Sequence, residues 1–218
     1  MDRKLDVRKI YESVKEKITF KPEAALVLGS GLGFLGDQVE DPIAIDYHDI
    51  PHFKTSTAPG HKGRLVCGML DGQAVAVMQG RMHHYEGYSY EEVSYAVRVL
   101  RLLGCDTLIV TNAAGCVNLD WKAGDLMLIA DHIKFFMESP LRGENLPEFG
   151  VRFPDASHLY TPALREMARQ TARELGIGYH DKELLVRASV ESGISAELFA
   201  QVDEKIKKKP LIKPGKPL

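Results

Sequence analysis

The chain has 218 residues, of which 44% are hydrophobic and 27% are charged, and this average composition excludes a collagen-like, coiled-coil or wholly disordered protein. Apolar runs such as Leu126–Ala130 are far shorter than the roughly 18 residues of a membrane span, and charges occupy the N-terminus where a secretory signal is apolar, so we expect a cytoplasmic protein with no membrane partner. The formal net charge is −2, but Leu184–Leu218 carries seven Lys or Arg against four Asp or Glu, so the preceding residues form an acidic body that is poorly suited to nucleic acid.

A helix, a strand and a glycine loop are predicted first along the chain. Apolar side chains at spacings of three and four predict an amphipathic helix over residues 6–18, and the apolar run Ala24–Leu28 predicts a strand. The following Gly31–Gly36 matches the G-x-G-x-x-G pattern of dinucleotide-binding loops, but only Asp37–Pro42 separate it from the β-type run Ile43–Ile45. That is too short for a parallel crossover, so the loop is interpreted as backbone N–H groups that face an anion, with a plain tight turn as the alternative.

The middle of the chain combines a hairpin signal with a helix start signal. Arg64–Leu70 and Gln73–Met78 flank the pair Asp71-Gly72, which suits a two-residue type I′ turn and predicts a β-hairpin. Ser89–Glu92 has the spacing of a capping box, and the apolar residues that follow it share one helical face as far as Gly104.

Strands alternate with helices in the second half of the chain. Asp106–Thr111 and Asp125–Ala130 are predicted strands, and prolines and glycines make residues 131–160 irregular. Thr161-Pro162 supplies an N-cap and a first-turn proline for a helix through about Glu174. The pattern predicts an α/β fold with a mixed central β-sheet flanked by helices.

The residue spacings do not favour a metal site. Cys67, Cys105 and Cys116 lack metal-ligand spacing and are predicted to be buried, reduced thiols. His83 and His84 are adjacent, and neighbours on an extended strand point to opposite faces, so the two imidazoles are not expected to bind one ion.

Four glycine-flanked clusters are candidates for an anion site: Gly29–Gly33, Pro59–Gly63, Gly80–Gly87 and Asn112–Gly115. Three of them follow predicted strands, and ligands bind at the carboxyl ends of strands in α/β sheets. Within the third cluster, Arg81 offers a planar fork of donors for an oxyanion, and His83 and Tyr85 can add hydrogen bonds. Solvated polar residues and ordinary loop exits are the alternatives for each cluster taken alone.

Several motifs resemble, in order and spacing, those of the trimeric purine nucleoside phosphorylases. The resemblance extends from about Leu5 to His180 and is carried by Leu28–Gly33, Pro59-Gly60-His61, Gly80–Tyr88, Thr111–Gly115, Gly124–Ile129, Asp131-His132-Ile133, Pro140–Gly143 and Arg152-Phe153-Pro154. Because many motifs match in the same order, the resemblance is much more specific than a single glycine loop.

This resemblance implies phosphorolysis, in which inorganic phosphate attacks C1′ of a purine ribonucleoside or deoxyribonucleoside and releases the base and the sugar 1-phosphate. It implies that no metal or organic cofactor is needed, that phosphate is the co-substrate, and that the protein is a homotrimer. By similarity, the residues that hold phosphate are Ser30, His61, Arg81, Met82, His83 and the backbone N–H of Ala113. Tyr85 would contact the ribose, Asn112 would line the site, and Phe153 would cover the sugar of a neighbouring subunit.

The resemblance ends near residue 183. The Gly-Pro-x-x-Glu-Thr motif, the Met-Ser-Thr segment and the purine-binding Asn of the family are not found in Leu184–Leu218, and Cys116 stands where a further glycine is usual. We therefore expect an incomplete phosphorylase-like domain over residues 1–183, without the C-terminal part of the fold, and a divergent, partly disordered basic tail over residues 184–218. The expected activity is that of a purine nucleoside phosphorylase; the alternatives are a non-catalytic phosphate- or nucleoside-binding remnant of a disrupted gene and, through the lysine-rich tail, a nucleic-acid binder.

Overall fold

The computed structural model describes residues 3–56, 61–115, 118, 120–132 and 138–180. These residues fall into two units, one within Met1–Ala113 and Met137–Pro154 and the other within Ala114–Phe136 and Asp155–Leu218. Within the described ranges, no helix is long and apolar enough to cross a membrane. The predictions for Cys116, for Pro59-Gly60 and for the basic tail concern residues outside those ranges.

A five-stranded mixed sheet organises the first unit, as the sequence predicts. The strands have the order β2-β3-β4-β1-β5 and are β1 Ala24–Leu28, β2 Glu40–Asp46, β3 Arg64–Leu70, β4 Gln73–Gln79 and β5 Thr107–Val110. β1 lies parallel to β4 and β5, whereas β2, β3 and β4 are antiparallel neighbours. Asp71 and Gly72 both have positive φ, 49° and 76°, as the predicted two-residue turn between β3 and β4 requires.

Two helices cover one face of this sheet. They are α1 Arg3–Lys15, which begins and ends three residues earlier than predicted, and α2 Tyr90–Leu103. The predicted capping box is present at the start of α2, where the Glu92 backbone N–H donates to Ser89 Oγ and the Ser89 N–H donates to the Glu92 carboxylate. The larger core lies between these helices and the sheet and includes the following buried residues: Val7, Ile10, Val14, Val27, Leu65, Met78, Val99 and Leu100.

The larger core contains two buried thiols, and the opposite face of the sheet carries a second, smaller apolar cluster. Cys67 and Cys105 are free and buried, as predicted, and burial raises their pKa to about 12 and about 11. A smaller apolar cluster on the second face joins side chains of β1, β3 and β4 with Val39, and Leu32 and Leu35 from the glycine loop pack against it. The glycine loop itself continues into a 3-10 helix at Gly33–Asp37 and then into antiparallel β2, so it opens no crossover helix.

β5 has an exposed outer edge among the described residues. It pairs with β1, and its side chains Leu108, Ile109 and Val110 are 42%, 49% and 42% exposed. Val27 of the neighbouring β1 is only 5% exposed, so burial ends abruptly between the two strands. An open, apolar edge of this kind is a template for pairing with another chain.

The second unit contains one described α-helix, α3 Pro162–Glu174, at the predicted position, although the Thr161 side chain makes no capping hydrogen bond. The strand predicted at Asp125–Ala130 is wrong. Within the described residues that segment has a single bridge, between Met127 and His180. A strand persists only where a neighbour pairs with its N–H and C=O groups, and here such a neighbour is present for one residue pair.

Candidate functional site

Three of the four predicted clusters begin at one edge of the sheet. The parallel register pairs Leu28 of β1 with Gln79 of β4, and Val27 of β1 with Val110 of β5, so the three strands end side by side. The loops that start at Gly29, Gly80 and Thr111 therefore leave from the same edge. The cluster before β3 joins them because the Gly63 N–H donates to the Gln79 carbonyl at 3.0 Å.

The exits of β1 and β5 are in direct contact. The Gly29 N–H donates to Thr111 Oγ1 at 2.9 Å, and the Thr111 N–H donates to the Val27 carbonyl at 3.0 Å. A Cβ atom at position 29 would lie 2.7 Å from the Thr111 carbonyl oxygen and 2.8 Å from the Asn112 Cα, so only glycine allows this approach. Arg81 Nη1 donates to the same Thr111 carbonyl at 2.9 Å and thereby links the exit of β4 to the other two.

The exit of β4 positions His61. Gly80 has φ of +105°, and a Cβ atom there would lie 2.6 Å from the Cβ of His61. Tyr47 is fully buried and donates its hydroxyl to the Gly80 carbonyl at 2.7 Å, and burial raises the pKa of that hydroxyl so that it stays protonated. The Arg81 N–H donates to His61 Nδ1 at 3.3 Å.

Three aromatic rings form a stack at this edge. The ring centroids of His61 and His83 are 5.2 Å apart, and those of His83 and Tyr85 are 4.7 Å apart, with interplanar angles of 22° and 19°. The Glu86 side chain, 2% exposed, accepts hydrogen bonds from the His83 backbone N–H at 2.7 Å and from His83 Nδ1 at 2.8 Å. Ser56 Oγ lies 3.0 Å from His61 Nδ1 and 3.3 Å from Glu86 Oε1.

The electrostatics of the site favour a neutral His61 beside fixed donors. Burial, followed by the nearby His83 and Arg81, lowers the pKa of His61 below 6.5. The guanidinium of Arg81 and the backbone N–H groups of the glycine loop are donors suited to an oxyanion. The arrangement can therefore hold an anion between Arg81 and the imidazoles while Glu86 balances part of the positive charge.

The other predicted site residues occupy different environments. Ser30 is exposed in the glycine loop next to Gly31, which has φ of +87°. Met82 is 4% exposed and packs in the larger core, so its main chain is the part of the residue left for a ligand. Asn112 and Ala113 are exposed after β5, where Asn112 Nδ2 donates to the Ala113 carbonyl at 3.3 Å. Phe153 is 86% exposed, and its described ring contact is with the Arg152 guanidinium, 6.0 Å from the centroid.

Sequence reasoning missed four residues that organise the site: Ser56, Glu86, Thr111 and Tyr47. Glu86 had a local signal, because a histidine and a carboxylate three residues apart in a turn can pair. The premise that His83 and His84 lie on an extended strand is wrong, since His84–Glu86 form a 3-10 helix. In that turn His83 Nδ1 pairs with Glu86, whereas His84 Nδ1 donates to the Tyr88 carbonyl at 2.6 Å.

A family model and several known proteins match most of the chain. The family model "Phosphorylase superfamily" matches residues 23–194. Purine nucleoside phosphorylase 1 of Bacillus subtilis (strain 168) is 51% identical over 164 residues, which are 75% of this chain and 60% of that protein. Purine nucleoside phosphorylase of Bos taurus is 50% identical over 159 residues, 72% of this chain and 55% of that protein.

Solved structures give the same match in three dimensions. A crystal structure of a schistosoma purine nucleoside phosphorylase in complex with hypoxanthine superposes with a TM-score of 0.78 and 40% identity, over 84% of this chain and 66% of that one. A purine nucleoside phosphorylase in complex with ribose-1-phosphate superposes with a TM-score of 0.77 and 42% identity, over 84% and 68%. The chain spans 55% to 60% of the length of the two curated relatives named above.

Proposed function

Because the chain belongs to the phosphorylase superfamily, we propose that its strand-end site binds inorganic phosphate and a purine nucleoside and supports phosphorolysis. In this pentosyltransferase reaction a phosphate oxygen forms a bond to C1′ of the ribose or deoxyribose. The glycosidic bond breaks, its electron pair leaves with the purine, and the purine takes up one proton in exchange for the one that hydrogen phosphate loses, so that the products are the free base and the sugar 1-phosphate. The observation that supports this most strongly is the convergence of Arg81, His61 and His83 at the joined exits of β1, β4 and β5.

The proposed phosphate ligands come from all four loops. They are the side chains of Ser30, His61, Arg81 and His83 with the main chains of Met82 and Ala113. Phosphorolysis passes through a transition state in which the sugar carries positive charge at C1′. A phosphate dianion held beneath that carbon by fixed donors is both oriented for attack and placed to stabilise the charge. These donors require no metal or organic cofactor.

The proposed sugar contacts are Tyr85, Asn112 and Phe153. Tyr85 is 57% exposed and stacks on His83, so one ring face is held while the remainder is open to a ribose. Phe153 is almost fully exposed, which supports a role at the site of a neighbouring subunit in a homotrimer.

Three further assignments belong to this proposal. The site lies in the domain of residues 1–183, and the protein is placed in the cytoplasm. The basic tail of residues 184–218 is assigned no role in nucleic-acid or membrane binding.

A phosphate- or nucleoside-binding protein without catalysis is the second candidate. It is favoured by the sequence of residues 184–218, in which the family's Gly-Pro-x-x-Glu-Thr motif is not found. A base that leaves without hydrogen bonds to its ring nitrogens loses stabilisation, so binding would survive while turnover would not.

Two measurements on the purified chain separate these candidates. Titration calorimetry with inorganic phosphate should give a heat that Arg81→Ala abolishes. Arg101→Ala is the matched control and should leave the heat unchanged. Arg101 lies on α2 and pairs with Asp106, which precedes the amino end of β5 and is therefore away from the carboxyl ends of the strands. Inosine phosphorolysis at about 1–1000 turnovers per second supports the enzyme. Phosphate binding without product supports the second candidate, and a wild type that gives no heat with phosphate or with inosine overturns both.

A further inference from the structure

Ser56 connects two histidines of the site: it contacts His61 directly and reaches His83 through Glu86. It lies in the segment between β2 and β3, and its hydroxyl is 3.0 Å from His61 Nδ1 and 3.3 and 3.4 Å from the two carboxylate oxygens of Glu86. Glu86 in turn holds His83, whose ring stacks on that of His61. The hydroxyl therefore stands between one imidazole and the carboxylate that orients the other.

The hydrogen bonds determine which nitrogen of neutral His61 carries the proton. A backbone N–H is always a donor, so the contact from the Arg81 N–H requires His61 Nδ1 to be an acceptor. A neutral imidazole has one acceptor nitrogen and one N–H. Neutral His61 therefore carries its proton on Nε2. The Ser56 hydroxyl has a single proton, which it can also donate to Glu86 at 3.3 and 3.4 Å, and in the neutral state it donates this proton to the nearer His61 Nδ1 at 3.0 Å.

His83 has the opposite arrangement. Its Nδ1 faces a Glu86 oxygen at 2.8 Å, and an ionised carboxylate only accepts hydrogen bonds, so Nδ1 carries a proton. In the neutral ring the proton is then absent from Nε2. The two stacked imidazoles thus differ in which nitrogen is protonated, because one faces a backbone donor and the other a carboxylate.

We propose that Ser56 is a positioning residue that fixes the Nε2–H tautomer of His61 and connects His61 to Glu86 when His61 becomes charged. In the neutral state the hydroxyl donates to Nδ1. In the charged state Nδ1–H donates to Ser56 Oγ, the hydroxyl proton turns toward Glu86, and the hydrogen bond from the Arg81 N–H to Nδ1 is given up. The charged groups that act on His61 in this arrangement are Glu86, His83 and Arg81.

The consequence for ligand binding rests on the proposed function. A fixed Nε2–H gives His61 a permanent donor on the side of the ring away from Ser56, which suits an anion such as phosphate. Without the hydroxyl, Nδ1 keeps one donor instead of two, so the tautomer with the proton on Nδ1 becomes more accessible. Loss of Ser56 should then weaken phosphate binding roughly 2- to 10-fold, the equivalent of one neutral hydrogen bond.

The test uses 15N-histidine-labelled full-length chain and NMR. Above its pKa, wild-type His61 should show the nitrogen shifts of the Nε2–H tautomer; Ser56→Ala should move them toward a mixture and lower the pH at which His61 titrates, since the imidazolium loses its connection to Glu86. His180, which pairs with Asp125 at 2.8 Å, is the internal reference, and Ser56→Thr, which keeps the hydroxyl, should restore the wild-type spectrum. Ser94→Ala is the matched control, because its hydroxyl donates to the Glu91 carbonyl on α2, at 2.7 Å.

The outcomes are distinguishable from failure of the proposed function. Unchanged His61 shifts and titration in Ser56→Ala overturn the proposal, whether or not phosphate binds. Altered His61 shifts with restoration by Ser56→Thr support it, again independently of phosphate. A wild-type chain that shows no heat with phosphate overturns the proposed function and leaves the NMR result to decide the role of Ser56.

Discussion

Replacing Gly80 with alanine should destabilise the chain through two separate effects at the exit of β4. Its φ of +105° is unfavourable for a residue with a Cβ, which costs about 1–2 kcal/mol. The new Cβ would also lie 2.6 Å from His61 Cβ and 2.7 Å from its Cγ, whereas carbon atoms normally approach to about 3.5–4.0 Å. His61 must therefore move by roughly 1 Å, since non-bonded carbons do not overlap.

The movement has a calculable cost. It would stretch the two hydrogen bonds at His61 Nδ1, from the Arg81 N–H at 3.3 Å and from Ser56 at 3.0 Å, each worth about 0.5–1.5 kcal/mol. The expected total for Gly80→Ala is about 2–5 kcal/mol, summed from the backbone and hydrogen-bond contributions.

Gly72→Ala is the matched control for this prediction. Gly72 has a similar φ of +76° in the hairpin turn, but no atom of the described residues lies within 4 Å of its Cβ position. We expect that control to lose only the backbone contribution of about 1–2 kcal/mol. Urea unfolding of both variants measures the difference. Equal losses for Gly80→Ala and Gly72→Ala would show that His61 is not held against Gly80 and would refute the reasoning.

Three further predictions concern the charge, the pH dependence and the edge of the same unit. Glu86 accepts two hydrogen bonds from His83, and Glu86→Gln keeps the shape of this side chain but removes its charge. The free energy of unfolding measured in urea should therefore fall by about 1–2 kcal/mol. A fall smaller than that caused by Glu12→Gln, at an exposed position, would contradict this expectation. Because the pKa of His61 is lowered, mainly by burial, the unfolded state binds more protons just below pH 6.5, so the contribution of His61 to the free energy of unfolding should be constant above that pH and fall below it. His61→Gln should flatten the slope of urea midpoints between about pH 7 and 5, the range around the ordinary histidine pKa, and an unaltered slope would exclude His61 as its source. Ile109→Lys should reduce concentration-dependent association in sedimentation velocity, because a charge protects the edge of β5 that the described residues leave open, whereas the same change at the exposed Leu175 should leave association as in the wild type.

Elements whose signals are local were predicted correctly. The hairpin around Asp71-Gly72 and the capping box at Ser89 are specified by a few adjacent residues, and both are present. The strand predicted at Asp125–Ala130 is wrong because a strand depends on a neighbour that no local pattern reveals. The family resemblance inferred from the order of the motifs is confirmed by the match over residues 23–194.

In the candidate site, too, residues with a local signal were predicted and residues that act through long-range contacts were missed. Arg81 and His83 were found from their place after an apolar strand, since parallel strands bring their carboxyl ends to one edge. Ser56 and Tyr47 were missed because they reach the site from loops 30 and 33 residues away from the groups they contact, Glu86 and Gly80. Side chains that act only through such contacts have no neighbouring pattern in the sequence.

The sequence by itself determined the class of fold, the family and the edge of the sheet where the candidate site lies, because periodicity, turn pairs and ordered motifs are properties of short segments. Only the tertiary structure decided that Met82 belongs to the core, that Gly29 must admit Thr111, and that Ser56 and Glu86 control the two imidazoles. Those outcomes depend on distances between segments that are far apart along the chain, and such distances exist only after the sheet has assembled.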